Sequence, residues 1–257
     1  MSRDRLIVIV VFVATWVACS DTAEDPAVTV GGLEGELLVS AAASLADAFA
    51  EVEVAFETAN PDVDVILNLG SSSSLREQVL EGAPADVFAS ANTSNMDQVA
   101  EGGELAVEPE IFARNMLQIA VPLGNPAGIT GLEDFSNEEL LIGLCAEEVP
   151  CGEFGRTALE NAGVTPAVDT NEPDVRALLT KVETGELDAG ITYLTDVLST
   201  DGGVEGIDIP VDVNVVAGYP IAALVNAPNA DAAGAFVAFV LSDEGRTILT
   251  SYGFASP

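Results

Sequence analysis

The chain contains no histidine, one lysine (Lys181), one tryptophan (Trp16) and three cysteines. Without histidine there is no Ser-His or Cys-His nucleophile pair, no ordinary general base near neutrality, and none of the commonest transition-metal ligand. Enzymatic chemistry would have to run on carboxylates, Lys181 or bare thiols. Basic residues are almost as scarce: 8 Lys plus Arg stand against 42 Asp plus Glu, a formal charge of −34. A nucleic-acid partner needs a basic footprint to displace condensed counterions, so that class is excluded. Aromatics make up 5%, too few to furnish the sugar platforms of a secreted carboxylate-based glycoside hydrolase. A serine hydrolase fails on the absent G-x-S-x-G turn and the absent base.

What is present suits a folded, acidic protein. Of 257 residues, 49% are hydrophobic and 19% charged, enough apolar matter for a real core. The acidity reads as a surface suited to a salty medium. Arg3 and Arg5 precede an apolar run, Leu6 to Val17, which ends at Ala18-Cys19. The run is shorter than the roughly 20 residues that span a bilayer and fits a secretory signal. Residues 1–19 are expected to be a lipoprotein-type signal in which Cys19 is lipidated, and 20–35 a flexible acidic tether. Cys145 and Cys151 remain. In an exported protein a close, even pair favours a disulfide, with a metal site as the alternative.

From Glu36 onward, short apolar runs alternate with helical periodicity. Strands are expected at Glu36 to Ala42, Val63 to Leu69, Asp86 to Ala89, Met116 to Val121, Leu140 to Cys145 and Ala189 to Tyr193. Two more are expected near Val213 to Ala217 and Pro220 to Asn226, after an acidic Gly-rich loop at Asp201 to Gly206. Helices are expected at Ser44 to Asn60, Leu75 to Glu81, Gly152 to Ala162, Asp174 to Thr184, Asp231 to Leu241 and Asp243 to Tyr252. This βαβ alternation predicts an α/β fold with a mostly parallel sheet flanked by helices.

Four helix starts fall at the carboxyl ends of strands, where open α/β sheets bind ligands. Ala41-Ala42-Ala43-Ser44 offers small residues and Ser44 as an N-cap with Asp47 three residues on. In Gly70-Ser71-Ser72-Ser73-Ser74, the Ser74/Glu77 spacing reads as a capping box, which leaves Ser72 and Ser73 in the turn. Val149-Pro150-Cys151-Gly152 carries proline at a first helical position, and Glu172-Pro173-Asp174-Val175 opens another helix. Free N–H groups at such starts bind anions with neutral donors, although each start taken singly is ordinary capping. Arg76 and Arg176 could reach such a cleft or, as helix-face arginines, pair with neighbouring carboxylates. Glu147, Glu148, Glu172 and Asp174 keep a cation site open as an alternative.

A-A-A-S-L (41 to 45), the serine run with L-R-E-Q-V-L-E-G-A-P-A-D-V-F-A-S-A (75 to 91), V-P-C-G, P-D-V-R-A-L (173 to 178) and G-I-T-Y-L-T-D (190 to 196) together resemble the periplasmic molybdate-binding proteins of ABC transporters. The resemblance implies a type II, Venus-flytrap periplasmic-binding-protein fold, with lobe one at 36–114 plus 221–257 and lobe two at 115–220. It implies capture of molybdate or tungstate by Ser44 and Ser72 through hydroxyl and backbone N–H, by the N–H groups of Cys151 and Val175, and by the Tyr193 hydroxyl. Ser73 is a further candidate beside Ser72. A permease partner, membrane contact only through a lipid anchor, a monomer, no cofactor and no catalysis follow from it. Sulfate, phosphate or a cation in the same fold is the nearest alternative.

Overall fold

The computed structural model describes residues 32–257; the expected signal, Cys19 and most of the tether lie outside them. Strand β1 (Gly35–Ala42) runs into a single 3-10 turn (Ala43–Leu45) and then helix α1 (Ala46–Ala59), which ends before Pro61. Phe49, Val52 and Phe56 form the buried stripe of α1. Phe56 meets Phe236 edge-on at 5.2 Å and Phe49 meets it at 6.1 Å. Each such ring contributes about 1.5–3 kcal/mol by burial. Strand β2 (Val63–Gly70), helix α2 (Ser72–Leu80), strand β3 (Val87–Ala89) and helix α3 (Thr93–Glu101) follow.

A long strand, β4 (Glu110–Pro122), then leads to β5 (Ile142–Cys145), α4 (Pro150–Asn161), β6 (Thr170–Glu172), α5 (Val175–Glu183), β7 (Ala189–Tyr193) and the short helix α6 (Leu194–Leu198). The chain closes with β8 (Val204–Asp208), β9 (Val216–Ala223), α7 (Ala230–Val240) and α8 (Asp243–Ser251). The strand order is β2-β1-β3-β9-β4-β7-β5-β6, with β8 beside β4. Pairing is parallel among β2, β1 and β3 and among β7, β5 and β6. It is antiparallel where β9 and β4 join the two groups. Along β4 the partner changes: Glu110 to Met116 pairs with β9, and from Leu117 onward the strand pairs with β7 and β8. The sheet therefore has two halves, each flanked by helices.

Several expectations need correction. The loop expected at Asp201 to Gly206 contains most of β8, because Val204 can enter the core (4% exposed) beside the edge of β4. The two strands expected near 213–226 are one, β9, with Pro220 inside it. Ser44 is not an N-cap: it sits within the 3-10 turn, and α1 begins at Ala46 without a side-chain cap. Helix α2 begins three residues earlier than expected. Its cap is Ser71, whose hydroxyl accepts from the Ser74 N–H at 3.3 Å, so Ser72 and Ser73 occupy the first turn.

Candidate functional site

The motif Gly-Ala-Pro-Ala-Asp owes its aspartate to architecture. Asp86 is fully buried, and its carboxylate accepts from the Leu38 N–H at 2.7 Å and the Asn229 N–H at 2.6 Å. This pins β1 and the start of α7 beside β3. With that frame fixed, the carboxyl ends of β1 and β2 from one half face the starts of α4 and α5 from the other.

Between them lies a cavity lined by Ala42, Ala43, Ser44, Gly70, Ser71, Ser72, Ala91, Val149, Pro150, Cys151, Asp174, Val175 and Tyr193. All five residues expected to meet the ligand are among them. Ser73 is not: it is buried, with its hydroxyl 3.4 Å from that of Ser71. The cavity is small, about 20 Å³, the scale of a compact ion.

Each lining donor is prepared by its neighbours. Ser72 Oγ accepts from the Ala91 N–H at 2.9 Å, which leaves its own O–H to donate. Ser44 Oγ lies 2.9 Å from Tyr219 Oη. Asn115 Nδ2 donates to Thr195 Oγ1 at 2.8 Å and reaches Tyr219 Oη at 3.5 Å. Either hydroxyl can donate in that pair; with Asn115 donating to the phenol, Tyr219 can donate to Ser44 and leave the Ser44 proton for the cavity. Burial, followed by smaller effects of its neighbours, holds the Tyr219 hydroxyl well above the usual phenol range, so it stays a donor.

Val175 and Cys151 present backbone N–H groups at the first turns of α5 and α4, where helices have no internal acceptor for them. Asp174 caps α5 by accepting from the Ala177 N–H at 2.9 Å. Proline at the first position of α4 has no N–H to misplace. Cys145 and Cys151 are joined by a disulfide that ties the end of β5 to this helix start. Gly152 is obligatory: a Cβ there would overlap the Ala146 carbonyl oxygen.

Tyr193 ends β7. It is 1% exposed and its Oη has no hydrogen-bond partner among the described residues. Burial above all raises its pKa far beyond the usual value, so the group is a neutral hydroxyl. Its ring stands edge-on to Tyr219 at 6.0 Å. An unpaired buried hydroxyl costs about 1–3 kcal/mol, and here it belongs to a residue that lines the cavity.

Among the described residues, no lysine or arginine lines the cavity. The carboxylates weighed for a cation are otherwise engaged or remote. Glu172 accepts from Lys181 Nζ at 2.7 Å, while Glu147 and Glu148 are exposed and absent from the lining. Arg76 donates to Asn95 Oδ1 at 2.8 Å and pairs with Glu77 at 3.1 Å. Arg176 likewise pairs with neighbouring carboxylates, those of Asp47 and Asp196. Sequence reasoning missed Tyr219, Asn115 and Asp196. The residues Gly218-Tyr219-Pro220 carry no motif, and it is the place of β9 between β3 and β4 in the sheet that brings that phenol to Ser44.

Two sheet halves joined by long antiparallel strands, with a cavity at the helix starts between them, are the architecture of a type II periplasmic binding protein. The chain belongs to the bacterial extracellular solute-binding proteins, whose family profile matches residues 37–255. It is a transport component that binds solute outside the cytoplasm and is not an enzyme. It is 39% identical to the molybdate-binding protein ModA of Mycobacterium tuberculosis over 247 residues, 95% of this chain and 94% of that one. Among solved structures it is similar to the Azotobacter vinelandii periplasmic molybdate-binding protein, with a TM-score of 0.77 and 16% identity over 86% of this chain and 99% of that one. The sulfate-binding protein SubI of Mycobacterium tuberculosis gives a TM-score of 0.79 at 17% identity, covering 87% of each chain. At these identities the two structures share the fold.

Proposed function

We propose that the protein captures molybdate, and also tungstate, between two lobes and delivers it to an ABC permease. The carrying observation is the convergence of Ser44, Ser72, Cys151, Val175 and Tyr193 on one ion-sized cavity that no lysine or arginine lines. In this reading Ser44 and Ser72 donate through hydroxyl and N–H, Cys151 and Val175 through N–H, and Tyr193 through Oη. Such donors need no counter-charge when the cavity is empty. A wall of donors also favours an oxyanion that carries no proton over hydrogen phosphate, whose O–H would face donors. The 39% identity to a molybdate-binding protein over nearly the whole chain supports the choice of ion.

The lobes are the halves of the sheet, 36–114 plus 221–257 and 115–220. The change of partner along β4 near Met116 and Leu117 supports that division and a hinge there. The Arg3/Arg5, Leu6–Val17 and Ala18-Cys19 pattern supports a lipid anchor at Cys19; that one chain supplies every lining residue of the cavity suits a monomer.

The test is a melting-temperature screen against molybdate, tungstate, sulfate, phosphate and divalent cations, repeated with Ser44→Ala and Ser72→Ala. A specific ligand stabilises the folded state by mass action. We expect a large upward shift with molybdate and tungstate alone. Each substitution is expected to weaken binding by roughly 10- to 100-fold, the loss of one hydrogen bond to a charged group. A shift confined to sulfate, phosphate or cations would refute the specificity.

A further inference from the structure

Arg176 follows Val175 on α5 but does not line the cavity. Its guanidinium is held on the second half of the sheet, where Nη1 donates to Ser199 Oγ at 2.9 Å and Nε lies 3.6 Å from Asp196 Oδ1. Asp196 is fully buried, and its other oxygen accepts from the Tyr193 N–H at 3.1 Å. The same guanidinium crosses to the first half. Nε donates to the Ala43 carbonyl at 3.3 Å and Nη2 to the Asp47 carboxylate. One planar fork with five N–H donors in fixed geometry can hold acceptors on both lobes at once, a spread that the compact ammonium of a lysine does not reproduce.

We propose that Arg176 is the positioning residue that couples capture of the anion to closure of the lobes, by tying the turn of Ser44 to the helix start of Val175 and the strand end of Tyr193. The inference rests on the reading of the cavity as an oxyanion site between two lobes. The anchoring contacts, Asp196 and Ser199, lie within one lobe and persist when the lobes part. The reaching contacts, Ala43 and Asp47, exist only when they meet. The arginine thus adds nothing to the open form that would hold it shut, and it slows escape once the anion has drawn the lobes together. It also places the nearest full positive charge behind the donors and out of the cavity, so that no bare cation faces the empty site.

The experiment compares the unaltered protein with Asp47→Asn, Arg176→Gln and Arg176→Lys. Molybdate affinity is read by calorimetry, dissociation by ligand exchange, and ligand-induced compaction by small-angle X-ray scattering. Asp47→Asn removes the charged partner on the other lobe and leaves the Arg176–Asp196 contact in place. It is expected to keep the ligand-free melting temperature while dissociation quickens about tenfold and compaction falls. Arg176→Gln is expected to do the same or more, and Arg176→Lys to restore little of it. If the unaltered protein binds molybdate and compacts, and Asp47→Asn and Arg176→Gln match it in both, the coupling role is overturned. If the unaltered protein shows no molybdate binding, the reading of the ligand fails and takes this inference with it.

Discussion

Tyr193 keeps a buried hydroxyl unpaired, so affinity and stability should part company there. In Tyr193→Phe the ring still fills its place against Tyr219, and the unpaired polar atom disappears. The ligand-free melting temperature is expected to hold or rise slightly. Molybdate affinity is expected to fall by roughly 10- to 100-fold, the worth of one hydrogen bond to an anion. Parallel melting and calorimetry check the split; a variant that loses stability and keeps affinity would show Tyr193 to be packing alone. At this scale the sequence was informative where a residue type has few uses. Ser72 stood in a serine run longer than capping needs, and it does line the cavity. Asp196 and Tyr219 gave no signal because their roles come from partners 20 and 175 positions away along the chain, Arg176 and Ser44.

The helix start of α4 shows what an element contributes. Three devices fix the Cys151 N–H: proline at the first helical position, the disulfide to β5, and the absence of a side chain at Gly152. Gly152→Ala would push the start of α4 away from the Ala146 carbonyl. Such overpacking costs typically 1–3 kcal/mol, and here the displacement also moves a proposed donor. Denaturant unfolding is expected to record that loss, and calorimetry an affinity loss of about tenfold or more, since donor placement matters on the sub-ångström scale. Element starts of this kind were legible because Pro, Gly, Ser and Asp punctuate helices for local reasons. Elements without local punctuation were not. Helix α6 has five residues, too few for a period to emerge, and α3 is polar apart from Met96, Val99 and Ala100. Strand β8 lies in a Gly-rich acidic stretch and exists because β4 offers it an edge. The cap of α2 fell on Ser71, since in a run of serines any of several can take the position and tertiary contacts choose.

Over the whole molecule the −34 charge opposes both compaction and the approach of a dianion. Salt screens that repulsion within about 10 Å at 0.1 M. The melting temperature is therefore expected to climb as sodium chloride is raised from low ionic strength. The association rate for molybdate should climb too, while the dissociation rate, set by desolvated local donors, should change little. Stopped-flow measurements across a salt series check the contrast; a salt-independent association rate would mean that the acidic surface does not reach the mouth of the cavity. The α/β class was evident from the alternation of runs, because each run must bury one face. The antiparallel junction at β9 and β4 was not, since strand direction is settled by which edges meet and leaves no mark on local periodicity.

The tyrosine pair has an optical consequence. The chain's one tryptophan is Trp16, so residues 32–257 contain none, and their near-ultraviolet absorption and emission come from tyrosine, with Tyr193 and Tyr219 in contact beside the cavity. A third tyrosine, Tyr252, is tied to Glu51 at 2.8 Å on the surface. Occupancy of the cavity would therefore write itself into the spectrum of two phenols with no indole to mask it, giving the protein an intrinsic, label-free reporter of its own filling.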